Sequence, residues 1–175
     1  MKNQIRIAVL DDDVTEIYKT EQMISAYEEI HPEREYITAC HTEIKTFMEM
    51  MCDRSNWAYD ILLMDIYLPD GNGIECGEIL RDKGFTGVII YKSSTAENRL
   101  DAFAVDAMQY LIKPVSEEKL FETLDEAIKR VMAIEQAAAE YSLYPDDSDV
   151  PIQTENVKPR KSIKEFLTKW FHGDL

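Results

Sequence analysis

Cysteine is scarce in this sequence, with three residues in 175, and the three are widely separated. Three scattered thiols are too few for a disulfide framework or a four-ligand zinc site. We therefore expect the cysteines to be reduced. Long hydrophobic runs are also missing. No stretch approaches the ~20 apolar residues of a membrane-spanning helix, and no N-terminal targeting segment is recognisable. These absences predict a soluble, cytoplasmic protein.

Basic residues are in short supply as well. The chain has 19 Lys and Arg against 34 Asp and Glu, a formal net charge of −15 and a pI of about 4.5. Binding to a nucleic-acid backbone requires clustered basic side chains, so the composition argues against DNA or RNA as a partner. The length and the 45% hydrophobic content fit one globular domain with some chain left over.

Short apolar segments alternate with segments of helical periodicity over the first 140 residues. The predicted strands are 5–10, 35–40, 59–65, 87–93 and 108–112. The predicted helices are 11–30, 43–52, 73–84, 97–107 and 116–141. Five strand–helix units of this kind are typical of an α/β protein whose parallel sheet is covered by helices on both faces.

The tail differs from this domain in composition and charge. Residues 141–160 are rich in Pro, Asp and Ser and predict a flexible linker, and residues 161–175 predict an amphipathic helix. Residues 1–140 contain 28 acids and 14 bases, whereas residues 158–175 contain five bases and two acids. The apolar face of the predicted helix consists of Ile163, Phe166, Leu167, Trp170 and Phe171.

Four roles for this helix stay open. It could fold back on its own domain, dock on another protein or on a second copy, lie on a membrane surface, or contact DNA. The charge difference motivates the hypothesis that the basic helix docks on the acidic domain and that modification of the domain changes this contact.

Polar side chains follow four of the five predicted strands at their carboxyl ends, where open parallel sheets bind ligands. They are Asp11, Asp12, Asp13, Asp65, Ser93, Ser94 and Lys113. Converging carboxylates repel one another, and a divalent cation such as Mg²⁺ relieves that repulsion. A metal facing a lone carboxylate, with an ammonium and a hydroxyl nearby, suits phosphoryl transfer to the carboxylate. Asp13 could equally serve as a helix cap.

Four separated motifs occur in a particular order: VLDDD, LLMDIYLPDGNGIE, VIIYKSS and YLIKP. Together they resemble the CheY-like receiver domain of two-component response regulators, over about residues 3–135. The resemblance implies a (βα)5 flavodoxin-like, three-layer sandwich with the parallel strand order 2-1-3-4-5, so that residues 1–140 form the receiver domain.

The resemblance also implies where the chemistry occurs. Asp65 would accept a phosphoryl group from a sensor histidine kinase or a phosphotransfer protein, forming an aspartyl phosphate. The Mg²⁺ ligands would be Asp11, Asp12, Asp65 and the backbone carbonyl of Tyr67, with Asp12 a direct ligand. A receiver of this kind assists only its own phosphorylation and dephosphorylation and acts through a downstream protein target.

Three further positions match the receiver pattern. Ser93 corresponds to the switch hydroxyl, Lys113 to the lysine that contacts the phosphoryl group, and Tyr110 to the aromatic that changes rotamer on activation. The resemblance further implies a cis peptide between Lys113 and Pro114.

The run RLDAFAVDAMQYLIKPV resembles the receiver subgroup that usually precedes a LytTR DNA-binding domain. The tail is far too short for that output domain, which is therefore expected to be absent. A second departure is Lys92, which stands where an apolar strand residue is usual. It predicts a displaced end of the fourth strand and leaves Ser94 as an alternative to Ser93.

Two other functions stay open. A Mg²⁺-dependent phosphohydrolase of the haloacid-dehalogenase type also uses an Asp nucleophile, but it requires a second Asp two residues later, where this chain has Tyr67. A receiver-like binding module that needs no phosphorylation is the other possibility, although all the acceptor-site residues are present.

Overall fold

Strands and helices alternate along residues 3–51, 59–97 and 99–143, which a computed structural model describes. The strands are β1 Gln4–Leu10, β2 Glu35–His41, β3 Ile61–Asp65, β4 Tyr67–Leu68, β5 Gly71–Asn72, β6 Val88–Ser93 and β7 Gln109–Ile112. The helices are α1 Val14–Ile30, α2 Ile44–Met51, α3 Gly73–Asp82, α4 Arg99–Ala104 and α5 Glu117–Leu143.

Five strands pair in parallel to form one sheet in the order β2-β1-β3-β6-β7. These are the five predicted strands, so the predicted order 2-1-3-4-5 is confirmed. The remaining two strands, β4 and β5, form a separate antiparallel pair between β3 and α3. Each is only two residues long, which is too short to produce a periodic signal in the sequence.

Helices cover both faces of the sheet, which confirms the three-layer sandwich. One apolar cluster joins the sheet to α1 and α5, and the other joins it to α2, α3 and α4. Successive residues of β6 alternate between the two clusters, with Ile90 in the first and Tyr91 in the second. This alternation follows from the two-residue period of a strand and explains why the strand is apolar throughout.

Two helix ends differ slightly from the predicted ones. The helix predicted over 97–107 is limited to α4, and Asp106, just after it, has φ = 55°. Gly84 follows α3 with φ = 90°, a left-handed conformation that ends helices and favours glycine.

The last helix, α5, extends three residues past the predicted domain boundary at 140. The rest of the predicted linker over 141–160 and the predicted helix over 161–175 lie outside the described residues. Within the described part of the chain, no helix combines the length and apolar character needed to cross a membrane.

Candidate functional site

Three carboxylates meet beyond the carboxyl ends of β1 and β3, which are neighbours in the sheet. Asp65 is the last residue of β3, and Asp11 directly follows β1. One oxygen from each of Asp11, Asp12 and Asp65 lies within 4.8 Å of the others. Asp11 and Asp65 are buried, whereas Asp12 is exposed. The parallel sheet therefore brings the three predicted acids into one cluster that is open to solvent on one side.

Asp13 has a different role from these three acids. It is the N-cap of α1, and its Oδ1 accepts a hydrogen bond from the backbone N–H of Thr15 at 2.8 Å. This hydrogen bond lowers the pKa of Asp13 below its ordinary value. Its backbone N–H donates to Asp11 Oδ1 at 3.2 Å. The cap thus fixes the start of α1 against the cluster.

Lys113 joins two of the carboxylates from the end of β7. Its Nζ lies 2.8 Å from Asp11 Oδ2 and 2.5 Å from Asp65 Oδ2. Burial alone would lower the pKa of Lys113, but its contacts with the two carboxylates raise it above the ordinary value. The predicted cis peptide between Lys113 and Pro114 is present. The structure therefore places the predicted lysine on the predicted acceptor.

A second lysine, Lys92, reaches the same cluster from inside the sheet. It is 2% exposed, and its Nζ lies 3.1 Å from Asp11 Oδ2 and donates to Thr20 Oγ1 at 3.1 Å. The prediction that Lys92 displaces the end of the fourth strand is wrong. Strand β6 continues through Ser93, because the buried ammonium finds a carboxylate just after β1 and a hydroxyl on α1.

The oxygen donors of the cluster fit a hard divalent cation. Oδ2 of Asp11 is fully buried and accepts no hydrogen bond of ordinary geometry from the described residues. Among those residues, only the ammonium groups of Lys92 and Lys113 lie close enough to this oxygen to neutralise its negative charge. The backbone N–H of Tyr67 donates to Asp65 Oδ1 at 3.2 Å, which holds this backbone beside the Asp65 carboxylate. Carboxylate and carbonyl oxygens of this kind are the ligands that Mg²⁺ prefers.

The predicted switch residues lie along β6 and β7. Ser93 is fully buried at the end of β6, and its Oγ accepts from the backbone N–H of Thr95 at 3.3 Å. Ser94 follows the strand and is exposed. The Tyr110 hydroxyl, on β7, donates to the carbonyl of Thr95 at 2.6 Å, and the Arg99 guanidinium lies 5.5 Å from its ring centroid.

Two residues at this site were not predicted from the sequence. Thr20 gave no signal, because its partner Lys92 lies 72 residues away along the chain. Lys92 did give a signal, a charged residue in an apolar strand, but the sequence does not indicate what would neutralise it. A buried lysine needs a nearby acid, and Asp11 is the acid that the fold provides.

The chain resembles known proteins in both sequence and fold. Residues 7–125 match the model of a family described as the response regulator receiver domain. The sensory transduction protein LytT of Enterococcus faecalis is 25% identical over 153 residues, covering 87% of this chain and 59% of the relative. LytT of Bacillus cereus is 28% identical over 120 residues, covering 69% of this chain and 46% of that relative. The chain thus spans about half the length of these curated relatives.

Solved structures show the same fold at low sequence identity. A CheY-like response regulator receiver domain protein from Methanospirillum hungatei has a TM-score of 0.62 at 21% identity, covering 74% of this chain and 98% of that one. A response regulator receiver domain protein from Clostridium thermocellum has a TM-score of 0.63 at 17% identity, with the same coverage. These likenesses support the fold alone.

Proposed function

The chain belongs to the response regulator receiver domain family of two-component systems, and on this premise we propose that Asp65 accepts a phosphoryl group. The observation that carries the proposal is the position of its carboxylate at the end of β3. There it contacts Lys113 Nζ at 2.5 Å and lies in one cluster with Asp11 and Asp12. The donor would be a sensor histidine kinase or a phosphotransfer protein, and the protein would act in the cytoplasm.

Asp65 is suited to act as the nucleophile. A carboxylate oxygen attacks the phosphorus, a new O–P bond forms, and the bond from phosphorus to the donor's leaving atom breaks. Lys113 lies close enough to Asp65 to hold a negatively charged phosphoryl oxygen while the phosphoryl group is transferred to the carboxylate. Asp11, Asp12, Asp65 and the carbonyl of Tyr67 would hold Mg²⁺, which when bound supplies charge neutralisation at the phosphoryl oxygens.

The hydroxyl of Ser93 is the proposed link from the phosphoryl group to the surface. Ser93 is buried at the end of β6, whereas Ser94 is exposed, which favours Ser93 as the switch residue. A shift of Ser93 toward a phosphoryl oxygen would move Thr95, which also accepts the Tyr110 hydrogen bond. The surface around β6 and β7 would then bind a downstream protein target or a second copy of the chain differently.

The test is incubation of the full chain with Mg²⁺ and a small-molecule phosphodonor. The expected result is an acid-stable, base-labile adduct in the wild type and in Asp13→Asn, and none in Asp65→Asn. Asp13 offers a matched control, because it is a neighbouring acid whose hydrogen bond caps a helix. An adduct that persists in Asp65→Asn would contradict the proposal.

A Mg²⁺-dependent phosphohydrolase is the second candidate, favoured only by the shared use of an Asp nucleophile. Tyr67 occupies the position where such an enzyme requires its second Asp, so no general acid is available there. Catalytic turnover of a metabolite phosphate, without a lasting adduct, would support the hydrolase.

A further inference from the structure

We propose that Lys92 is a built-in cation of the acidic site, which positions Asp11 and competes with a divalent ion for the charge of the cluster. The inference rests on the proposed function, because it concerns how the same site would take up Mg²⁺. On this inference, Lys92, a buried residue of strand β6, helps to set the affinity of the site for Mg²⁺.

The position of Lys92 is fixed by the sheet. Lys92 follows Val88 and Ile90 on β6 at two-residue intervals, so its side chain enters the layer between the sheet and helices α1 and α5. Only 2% of it is exposed. A buried ammonium is stable only when oxygen atoms of the protein surround it. The side chain of Lys92 does not reach solvent from this layer, so the protein itself has to supply these oxygens.

Two oxygens from different parts of the chain hold the ammonium. Asp11 Oδ2 lies 3.1 Å from Lys92 Nζ, and Thr20 Oγ1 accepts from Nζ at 3.1 Å. The Thr20 hydroxyl donates its own hydrogen to the carbonyl of Glu16 at 2.8 Å. The oxygen of Thr20 is therefore turned to accept from Lys92, and the α1 backbone determines where the ammonium sits.

Lys92 adds a second positive charge to the acidic cluster, beside that of Lys113. Three carboxylates face two ammonium groups, Lys92 and Lys113, and both ammonium groups contact the same oxygen of Asp11. Repulsion among the acids is thus partly relieved before any metal arrives. A divalent ion entering the cluster gains less attraction and meets an additional positive charge, so its affinity is weakened.

The same arrangement frees Lys113 for the phosphoryl group. Lys113 is shared between Asp11 and Asp65. If it turned wholly toward a phosphoryl oxygen on Asp65, the buried Asp11 carboxylate would keep the Lys92 ammonium as its partner. Leaving a buried charge without a partner is strongly destabilising, so Lys92 lowers the free-energy cost of that movement.

The experiment is calorimetric titration of Mg²⁺ into the full chain, without phosphodonor. Lys92→Met and Lys92→Gln remove the charge, and the Gln side chain keeps an N–H donor for Thr20 Oγ1. Both variants should bind Mg²⁺ about tenfold tighter than the wild type, the order expected when one unit charge beside a divalent ion is removed. Lys92→Arg retains the charge and should bind Mg²⁺ no more tightly than the wild type.

A net-charge control separates this local effect from the overall charge of the protein. Lys119 lies on α5, its side chain is 50% exposed and it pairs with Glu122. Lys119→Met changes the net charge by the same amount, but it should leave the Kd for Mg²⁺ within about twofold of the wild type, because exposed charges are screened by salt.

Thermal unfolding provides a second readout. In EDTA the two neutral variants should unfold at a lower Tm than the wild type, and saturating Mg²⁺ should raise their Tm by more than it raises the wild-type value. In these variants, bound Mg²⁺ should supply the positive charge beside Asp11 that Lys92 supplies in the wild type. Neutral variants that stay unfolded in saturating Mg²⁺ would therefore overturn the proposal.

The remaining outcomes separate this inference from the proposed function. Wild-type Mg²⁺ binding that disappears in Asp12→Asn, together with an unchanged Kd in both neutral Lys92 variants, would contradict the role of Lys92 alone. If the wild type bound no Mg²⁺ through Asp12, the metal part of the proposed function would fail, and this inference would fail with it.

Discussion

Gly73 lies directly against the backbone of Asp65: a Cβ built on Gly73 would sit 2.1 Å from the carbonyl oxygen of Asp65. The backbone N–H of Gly73 also donates to the carbonyl of Ile66 at 2.9 Å. The start of α3 therefore packs on the end of β3, and only a residue without a side chain fits between them. The position of Asp65, the proposed phosphoryl acceptor, depends on this contact.

Gly73→Ala should destabilise the fold and slow phosphorylation of Asp65, because backbone has to move to accommodate the methyl group. Inserting an extra carbon into a tightly packed position costs about 1–3 kcal/mol. Urea unfolding measures this loss. Glu78→Ala, at an exposed position of the same helix, should change stability by less than about 0.5 kcal/mol. An unchanged midpoint in Gly73→Ala would contradict the close packing.

Lys113→Met should slow formation of the Asp65 adduct by about a hundredfold, the scale at which one charge-stabilising donor contributes to catalysis. The rate of phosphorylation by a small phosphodonor at saturating Mg²⁺ measures it. Lys119→Met removes an exposed lysine instead and should leave the rate unchanged. A normal rate in Lys113→Met would remove Lys113 from the proposed mechanism.

Tyr110→Phe should destabilise the protein by about 1 kcal/mol, because it deletes the 2.6 Å hydrogen bond to the carbonyl of Thr95. Chemical unfolding measures the loss. Tyr18→Phe removes a hydroxyl from a residue of α1 that is 62% exposed and should have no measurable effect. Equal stability of the two variants would indicate that the Tyr110 hydrogen bond contributes nothing.

His41 should make the fold less stable in mild acid. Burial lowers the pKa of His41 below its ordinary value of 6.5, so the unfolded chain binds a proton more readily than the folded one. Neutral His41 therefore contributes to the free energy of unfolding. This contribution is fully present above about pH 6.5 and is lost as the pH falls through the pKa that His41 has in the folded protein.

The measurement for His41 is the free energy of unfolding at about pH 7.5 and about pH 5.5. His41→Gln has no titrating ring and can still hydrogen bond with the hydroxyl of Tyr59, which lies 3.1 Å from Nε2 in the wild type. The variant should lose less stability between the two pH values than the wild type does. The same loss in both proteins would refute the prediction.

Much of the architecture could be predicted from the sequence because it depends on local patterns. Strands buried on both faces, such as β3, have continuous apolar runs, and helices show a longer period. The convergence of Asp11 and Asp65 required one more step, namely that parallel strands end at the same edge. The hairpin of β4 and β5 was missed, because two residues are too few for either period.

The surroundings of Lys92 could not be predicted in the same way. Its partners Asp11 and Thr20 come from other parts of the chain, and the contact depends on how α1 packs on the sheet. Sequence pattern alone made Lys92 an apparent disruption of the strand. The fold instead turns it into a buried partner of the acidic cluster, which only the tertiary structure reveals.

The most direct test of the account is to locate the phosphoryl group itself. The full chain is phosphorylated with a small phosphodonor and Mg²⁺, the acyl phosphate is reduced with borohydride, and the peptides are mapped by mass spectrometry. The account predicts reduction of Asp65 to homoserine and of no other acid in the cluster. Modification of Asp11 or Asp12 instead, or of no carboxylate at all, would contradict it.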